Sequence, residues 1–362
     1  MISISVMAII LVLSIFIFLK KRTRNAVERF IENGKMINVL IAGSNTYNKN
    51  KHVFYAILSC NPEKNKIGIT FIPSEFRVDL DGKGKSYQKI NEISIKDFKN
   101  LSESLERDLK LNIPFYIVLY SPDVERIADL IEGIDLYMLD SINVPGLQFG
   151  LNYFDGDKII QYINKVDENS IYKKYDRIQD ILLTLYYNKE RYEKYLNIEF
   201  ISEILKTIKT NFLPQEILSF GKLIFKKKSD LKCTILPGFI NEKNYYVIDD
   251  IAYKIYKKDF LRKLVIENDP DQQVKVKILN GTDIAGLARK VRRKLVNEGF
   301  NVVEFGTAPY PSFEKTVIIN RRGETGPLRK VSELVGSNNI YHITDSSQLI
   351  NVLIILGMDL AK

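Results

Sequence analysis

Phe-Tyr-Ala-Ile-Leu-Ser-Cys-Asn-Pro-Glu-Lys-Asn-Lys-Ile-Gly-Ile-Thr-Phe-Ile-Pro-Ser-Glu, residues 54–75, is the stretch on which the reading of this chain turns. Its two apolar runs, 54–59 and 67–72, flank a polar turn at Asn61-Pro62 and Lys64-Asn65, a pattern that predicts a buried β-hairpin. Glu75 stands just past the second strand, where α/β sheets place ligand groups because the loops beyond strand ends open onto the sheet's crevice.

Upstream, residues 37–42 read as a strand ending at Gly43-Ser44, with a polar loop over 45–51 and a helical connector over 25–34. Residues 2–19 are apolar apart from Ser3, Ser5 and Ser14, long enough to span a bilayer core as an uncleaved helix. Lys20, Lys21, Arg22 and Arg24 follow, and read strictly this basic flank places the C-terminal side in the cytoplasm.

Downstream, Ser94 with Asp97 suggests a capping box, and Phe98, Leu101, Leu105 and Leu109 form one helical face. Residues 114–120 read as a strand. Ser121-Pro122 opens a helix with the stripe Val124, Ile127, Leu130 and Ile131, and residues 134–139 form the next strand, a unit that builds parallel sheet. Helices are expected over 156–166, 171–187, 199–210, 214–225 and 251–264, with short segments at 235–238 and 245–249 flanking a turn. A polar linker at 266–273 with Pro270 separates a second unit, 274–362. There, strands at 274–279, 301–305, 316–320 and 352–356 and helices from Ile284 and Pro327 predict a small α/β sandwich. The expected fold class is therefore α/β, a mixed and largely parallel central sheet flanked by helices (37–265), plus that sandwich.

At 362 residues and 45% hydrophobic, the chain holds a sizeable core. A net charge of +9 favours anionic partners, but no helix-turn-helix, zinc-finger or RNP pattern accompanies it, so nucleic acid is not expected. Cys60 and Cys233 form no C-x-x-C pair, and with only His52 and His342 a His/Cys metal site is not expected.

Residues 37–264 resemble a LytR-CpsA-Psr domain. The phrases that carry the resemblance are Asn38-Val-Leu-Ile-Ala-Gly-Ser44, the hairpin with its Ile72-Pro73 ending, Lys89-Ile90-Asn91, Gly133-Ile134-Asp135, Asp155-Gly-Asp-Lys158, Arg177-Ile178 and Leu236-Pro237-Gly238. Residues 274–360 resemble the LytR C-terminal domain, through Ile278-Leu-Asn-Gly-Thr282, Gly286-Leu287-Ala288, Gly299-Phe300 and Ile355-Leu-Gly-Met-Asp359. The resemblance implies a membrane-anchored, extracytoplasmic phosphotransferase that moves a glycopolymer from a polyprenyl-pyrophosphate carrier onto peptidoglycan. It also implies a carboxylate-held Mg²⁺, several arginines on the pyrophosphate and an apolar tunnel for the lipid.

The chain departs from the family's charge motifs. Lys51-His52-Val53 stands where the family has an Arg-Ser-Asp-like motif, so Val53 replaces the metal-binding aspartate. Ile72-Pro73-Ser74-Glu75 has lost the arginine of its motif, and the arginines expected after Tyr162 fall on Asn164 and Val166. Arg177 survives, but the basic position three residues on is Asp180. Each such loss costs roughly 3 kcal/mol of transition-state stabilisation. The pocket candidates are thus Lys51, Glu75, Lys89 and Arg177, with Glu75 the candidate metal ligand. No catalytic residue is assigned.

The expectation is a single-pass membrane protein of the cell envelope, its globular part outside, that binds polyprenyl lipid without catalysis and needs no cofactor. Peptidoglycan or an anionic wall polymer is a further expected partner. The alternative is a divergent transferase that uses Mg²⁺. A cytoplasmic regulator tethered to the inner face rests on the basic flank alone.

Overall fold

The computed structural model describes residues 24–45, 52–94, 97–139, 145–165, 170, 172–227, 229–262, 274–309 and 313–360. The apolar stretch 2–19, Lys51 and the 266–273 linker lie outside these. No helix among the described residues is long and apolar enough to cross a membrane.

Helix α1 (Ala26–Glu32) opens with a reciprocal capping box between Asn25 and Glu28. It leads into β1 (Ile37–Ser44), inside a six-stranded sheet. The hairpin follows as read: β2 (His52–Asn61) runs antiparallel to β1 and to β3 (Lys66–Ile72). Asn61 Oδ1 holds the turn by accepting from the amides of Glu63 and Lys64, and Asn65 takes φ +51. Alternation along β2 sends Tyr55 and Ile57 into one core and Ala56 and Cys60 into another, so the sheet is covered on both faces.

A two-stranded ribbon, β4 (Arg77–Val78) and β5 (Gln88–Lys89), precedes α2 (Phe98–Leu109), whose four predicted apolar residues are buried. The cap differs from expectation: α2 starts behind Asp97, not Ser94, and Asp97 makes no capping bond. β6 (Phe115–Tyr120) pairs parallel with β1. In α3 (Ser121–Leu130) the N-cap position is Tyr120 rather than Ser121, and Asp123 reaches back to accept from the Tyr120 amide at 3.1 Å. Its buried side is set by Asp123 and Ala128, leaving Leu130 of the expected stripe exposed.

Strand β7 (Ile134–Met138) corrects the expected strand-helix-strand unit. It leaves the main sheet and pairs antiparallel with β8 (Gly150–Phe154). Gly133, at φ +66, makes this possible, since a Cβ there would stand 2.6 Å from the Phe154 carbonyl oxygen. Helices α4 (Gly156–Asn164), α5 (Lys173–Tyr187), α6 (Lys189–Tyr192) and α7 (Ile198–Ile204) follow. The helix expected over 199–210 ends early, and its tail becomes β9 (Lys209–Thr210), antiparallel to β6. After α8 (Pro214–Ile224), β10 (Asp230–Ile235) adds in parallel to β3, a strand the sequence reading lacked. β11 (Gly238–Ile240), β12 (Tyr246–Ile248) and α9 (Asp250–Tyr256) close this unit. The sheet order is β10-β3-β2-β1-β6-β9, and the pairings give β1, β3, β6 and β10 one common direction.

The second unit comprises β13 (Lys275–Asn280), α10 (Leu287–Asn297), β14 (Asn301–Thr307), β15 (Val317–Asn320), α11 (Gly326–Val335), β16 (Ile340–His342) and β17 (Val352–Leu356). Its sheet has five strands in the order β14-β13-β17-β15-β16, one more than expected, because short β16 was not foreseen. Ile284 is not in α10 and is 38% exposed, since Asn280 ties the 280–284 turn before the helix begins behind Gly286.

The two units dock directly. The loop before α11 lies along the free edge of β10: the Cys233 amide donates to Gly323 O (2.9 Å), the Thr325 amide to Leu231 O (3.0 Å), and Lys232 pairs with Glu324. This covers a sheet edge that would otherwise expose unpaired backbone groups.

Candidate functional site

Of the residues that sequence singled out, Glu75 follows β3, Lys89 lies on β5 and Arg177 on α5, while Lys51 lies outside the described residues. After Pro73 the chain turns. The Ser74 amide donates to the Tyr175 hydroxyl (3.2 Å), Ser74 Oγ donates to the Glu75 carboxylate (3.0 Å), and the Glu75 carbonyl accepts from the Tyr246 amide (2.8 Å). Glu75 is therefore fixed between β12 and α5 with its carboxylate half-buried. Burial lowers the pKa of Lys174, an effect that Glu75 opposes and Arg177 adds to, so both charges act on Lys174. Lys174 is thus the charge between Glu75 and Arg177 that sequence reading missed. Its position one turn before Ile178 on α5 was the available signal.

Arg177 is only 7% exposed. It donates to the Lys165 carbonyl and lies 5.9 Å from the centre of the Tyr162 ring. Lys89 sits on β5 opposite Arg77, its amide bonded to Glu92, with the following Asn91 amide donating to Ser74 O. That backbone ties the Lys89 segment to the Glu75 turn. Burial pushes the Tyr175 hydroxyl up to about 12, Glu75 adding to the shift, so Tyr175 stays neutral.

The side of α5 toward the second unit carries a further charged group. Asp180 is fully enclosed. One carboxylate oxygen accepts from the Thr344 amide (2.6 Å) and lies 2.8 Å from Thr344 Oγ1, and the other accepts from the Tyr162 hydroxyl (2.8 Å). Asp176 accepts from the amide and hydroxyl of Ser346. Asp345, between those two residues, joins Lys173 (2.8 Å) and Arg321 (3.0 Å). Lys173, Asp176 and Asp180 recur at helical spacing, so one stripe of α5 faces the second unit. Burial drives the Asp180 carboxyl up to about 7 against its three donors, and raises Asp176 as well. Burial also opposes the charge on Asp345, but Lys173, Ser347 and Arg321 hold its carboxyl down at about 2.

Between the units opens a cavity of about 610 Å³, lined by Gln179, Lys232, Tyr256, Phe260, Arg321 and Leu349 among others. It contacts the Asp176 side of α5 and not Glu75. The apolar strands 54–58, 67–72 and 115–119 place their buried residues in the two cores beside the sheet.

The Mg²⁺ that the resemblance implies can be tested on the donors present. Among the described residues no three His, Cys, Asp or Glu side chains converge on one point. Glu75 has a serine hydroxyl on its carboxylate and the charge of Lys174 nearby. That donor set does not fit a divalent cation, which needs several oxygen ligands.

Residues 273–360 match the family described as LytR cell envelope-related transcriptional attenuator. They are a LytR C-terminal domain. The larger unit shares its fold with LytR-CpsA-Psr proteins of known structure. B. subtilis TagV matches with a TM-score of 0.51 at 20% identity, covering 64% of this chain and 98% of TagV. TagT bound to LI-WTA gives 0.51 at 15% identity, over 64% of this chain and 91% of TagT. A transcriptional regulator from Enterococcus faecalis gives 0.54 at 14% identity, over 66% of this chain and 91% of that protein. No curated protein matches the sequence significantly. The LytR C-terminal domain is thus the unit whose residues 344–346 hold Asp176 and Asp180.

Proposed function

We propose that this chain is a membrane-anchored protein of the cell envelope that binds a polyprenyl phosphate or pyrophosphate lipid and does not transfer the polymer. The anchor is the apolar stretch 2–19, and the globular part lies outside the cytoplasm, because large domains translocate whatever their flanking charge. One observation carries the reading. At the helix position where the LytR-CpsA-Psr resemblance expects a base, Asp180 stands instead, and its carboxylate is committed to Thr344 of the C-terminal domain. An α5 that serves as a docking element offers a pyrophosphate few charges beyond Arg177 and Lys174. Transfer needs more, since charge stabilisation supplies most of phosphoryl-transfer catalysis.

A divergent transferase is the second reading, favoured by the electrostatic influence of both Glu75 and Arg177 on Lys174. One experiment separates the two. A polyprenyl pyrophosphate is added to the full chain in detergent, and binding and phosphate release are followed with and without Mg²⁺. Binding that ignores Mg²⁺, weakened by roughly 1.5 to 3 kcal/mol in Arg177→Ala, supports the binding protein. Mg²⁺-dependent release abolished by Glu75→Ala establishes the transferase.

A further inference from the structure

Helix α10 breaks three local rules at once. Its buried face, Leu287, Ala288, Val291 and Leu295, is ordinary. Its solvent face carries Arg289, Lys290, Arg293 and Lys294, all exposed, and among the described residues none of the four has a carboxylate partner. The first turn has no acidic residue and Gly286 supplies no side-chain cap, so Arg289 and Lys290 stand against the positive end of the helix dipole. Arg289 with Arg293, and Lys290 with Lys294, are like-charge pairs at i,i+4, which repel. Two acidic residues after the helix pair elsewhere, Glu298 with Lys330 and Glu304 with Lys277, and Asp283 stands exposed before Gly286. Arg292, beside the stripe, lies 5.2 Å from the centre of the partly exposed Phe305 ring.

Local choices that disagree with the fold and lack compensation concentrate at functional surfaces. We infer that the solvent face of α10 is a docking surface for a linear polymer carrying repeated phosphate charges. The cations form two pairs one helical turn apart, about 6 Å along the axis, a ladder that a chain of regularly spaced anions can follow. A lipid surface fits less well. Helices that lie in a membrane interface insert an apolar face, and the apolar face of α10 is used up in the domain core. The inference stands apart from the proposed lipid site, which involves none of these residues.

The test uses the full chain in neutral detergent and long-chain inorganic polyphosphate as the probe. The variant replaces Arg289, Lys290, Arg293 and Lys294 by Gln, a good helix former, and its thermal midpoint should not fall because repulsion is removed. A control variant replaces the exposed Lys222, Lys243, Lys254 and Lys258 by Gln, leaving the same net charge. The α10 variant should bind polyphosphate at least ~10-fold more weakly with a flatter salt dependence, and the control should stay close to wild type. Wild-type affinity in the α10 variant, or equal loss in the control, would overturn the inference. So would phosphatidylglycerol micelles that compete as well as polyphosphate per phosphate, since a lipid surface would then be the partner.

Discussion

The two sides of α5 both carry charged groups and do different things. Toward the C-terminal domain, Asp176 and Asp180 are enclosed, and the Thr344 and Ser346 amides and hydroxyls lie against them. Toward β3, Lys174 feels the charge of the half-buried Glu75, whose carboxylate accepts from Ser74 Oγ. The difference lies in commitment: enclosed carboxylates with fixed donors hold structure, whereas a partly exposed charge cluster can still exchange its neighbours for a ligand.

The largest expected effect is on the enclosed side. Asp180→Ala leaves the Thr344 amide and the Tyr162 hydroxyl buried without an acceptor, and should lower stability by about 3 kcal/mol at pH 5 in denaturant unfolding of the full chain. The penalty should shrink above pH 7. Because the folded-state pKa of Asp180 is raised to about 7, above its unfolded value, the native protein binds the extra proton between about pH 4 and 7. The wild type therefore loses stability as pH rises through that window, and the variant lacks this loss. Asp345 acts with the opposite sign: with its pKa held at about 2, its contribution is present above about pH 4 and disappears as pH falls to 2. Equal Asp180→Ala penalties at pH 5 and pH 8 would break the contrast.

Next in size is Gly323→Ala, at about 2 kcal/mol. Gly323 has φ +71, and a Cβ there would approach Gln179 Oε1 at 2.8 Å and Cys233 Cβ at 3.1 Å. The loop along β10 should be pushed away, and hydrogen exchange at the Cys233 amide should accelerate. The smallest effect belongs to the open side. Glu75→Gln should alter stability by less than about 1 kcal/mol, yet lower the Lys174 pKa further, because Glu75 opposes the effect of burial there. NMR titration of the lysine side chains reads this directly.

The elements built from local pattern were legible in the sequence. The hairpin, the apolar face of α2, the glycine stops at Gly133 and Gly299, and strand β17 all appear where alternation or helical spacing puts them. What failed depended on distant partners. Strand β7 has the composition of a main-sheet strand, but Gly133 turns it toward β8. Strand β10 carries only a short mixed pattern, Asp-Leu-Lys-Cys-Thr-Ile, and forms because β3 and the 323–325 loop bracket it. At the candidate site, Arg177 was singled out only through the family resemblance, and Glu75 through that resemblance and its place just past the second strand of the hairpin. The role of Asp180 was not, since a lost base and a docking carboxylate look the same until Thr344 is seen beside it.

The central claim is that α5 is the seat of the C-terminal domain, with Asp180 and Thr344 in direct contact. A double-mutant cycle of Asp180→Ala and Thr344→Ala, followed by denaturant unfolding of the full chain at pH 6, tests it most directly. The two effects should be non-additive by about 1 to 2 kcal/mol, the scale expected for partners in one buried hydrogen-bond network. Additivity within about 0.3 kcal/mol would contradict the contact, and with it the account of why this helix carries acid where a base was expected.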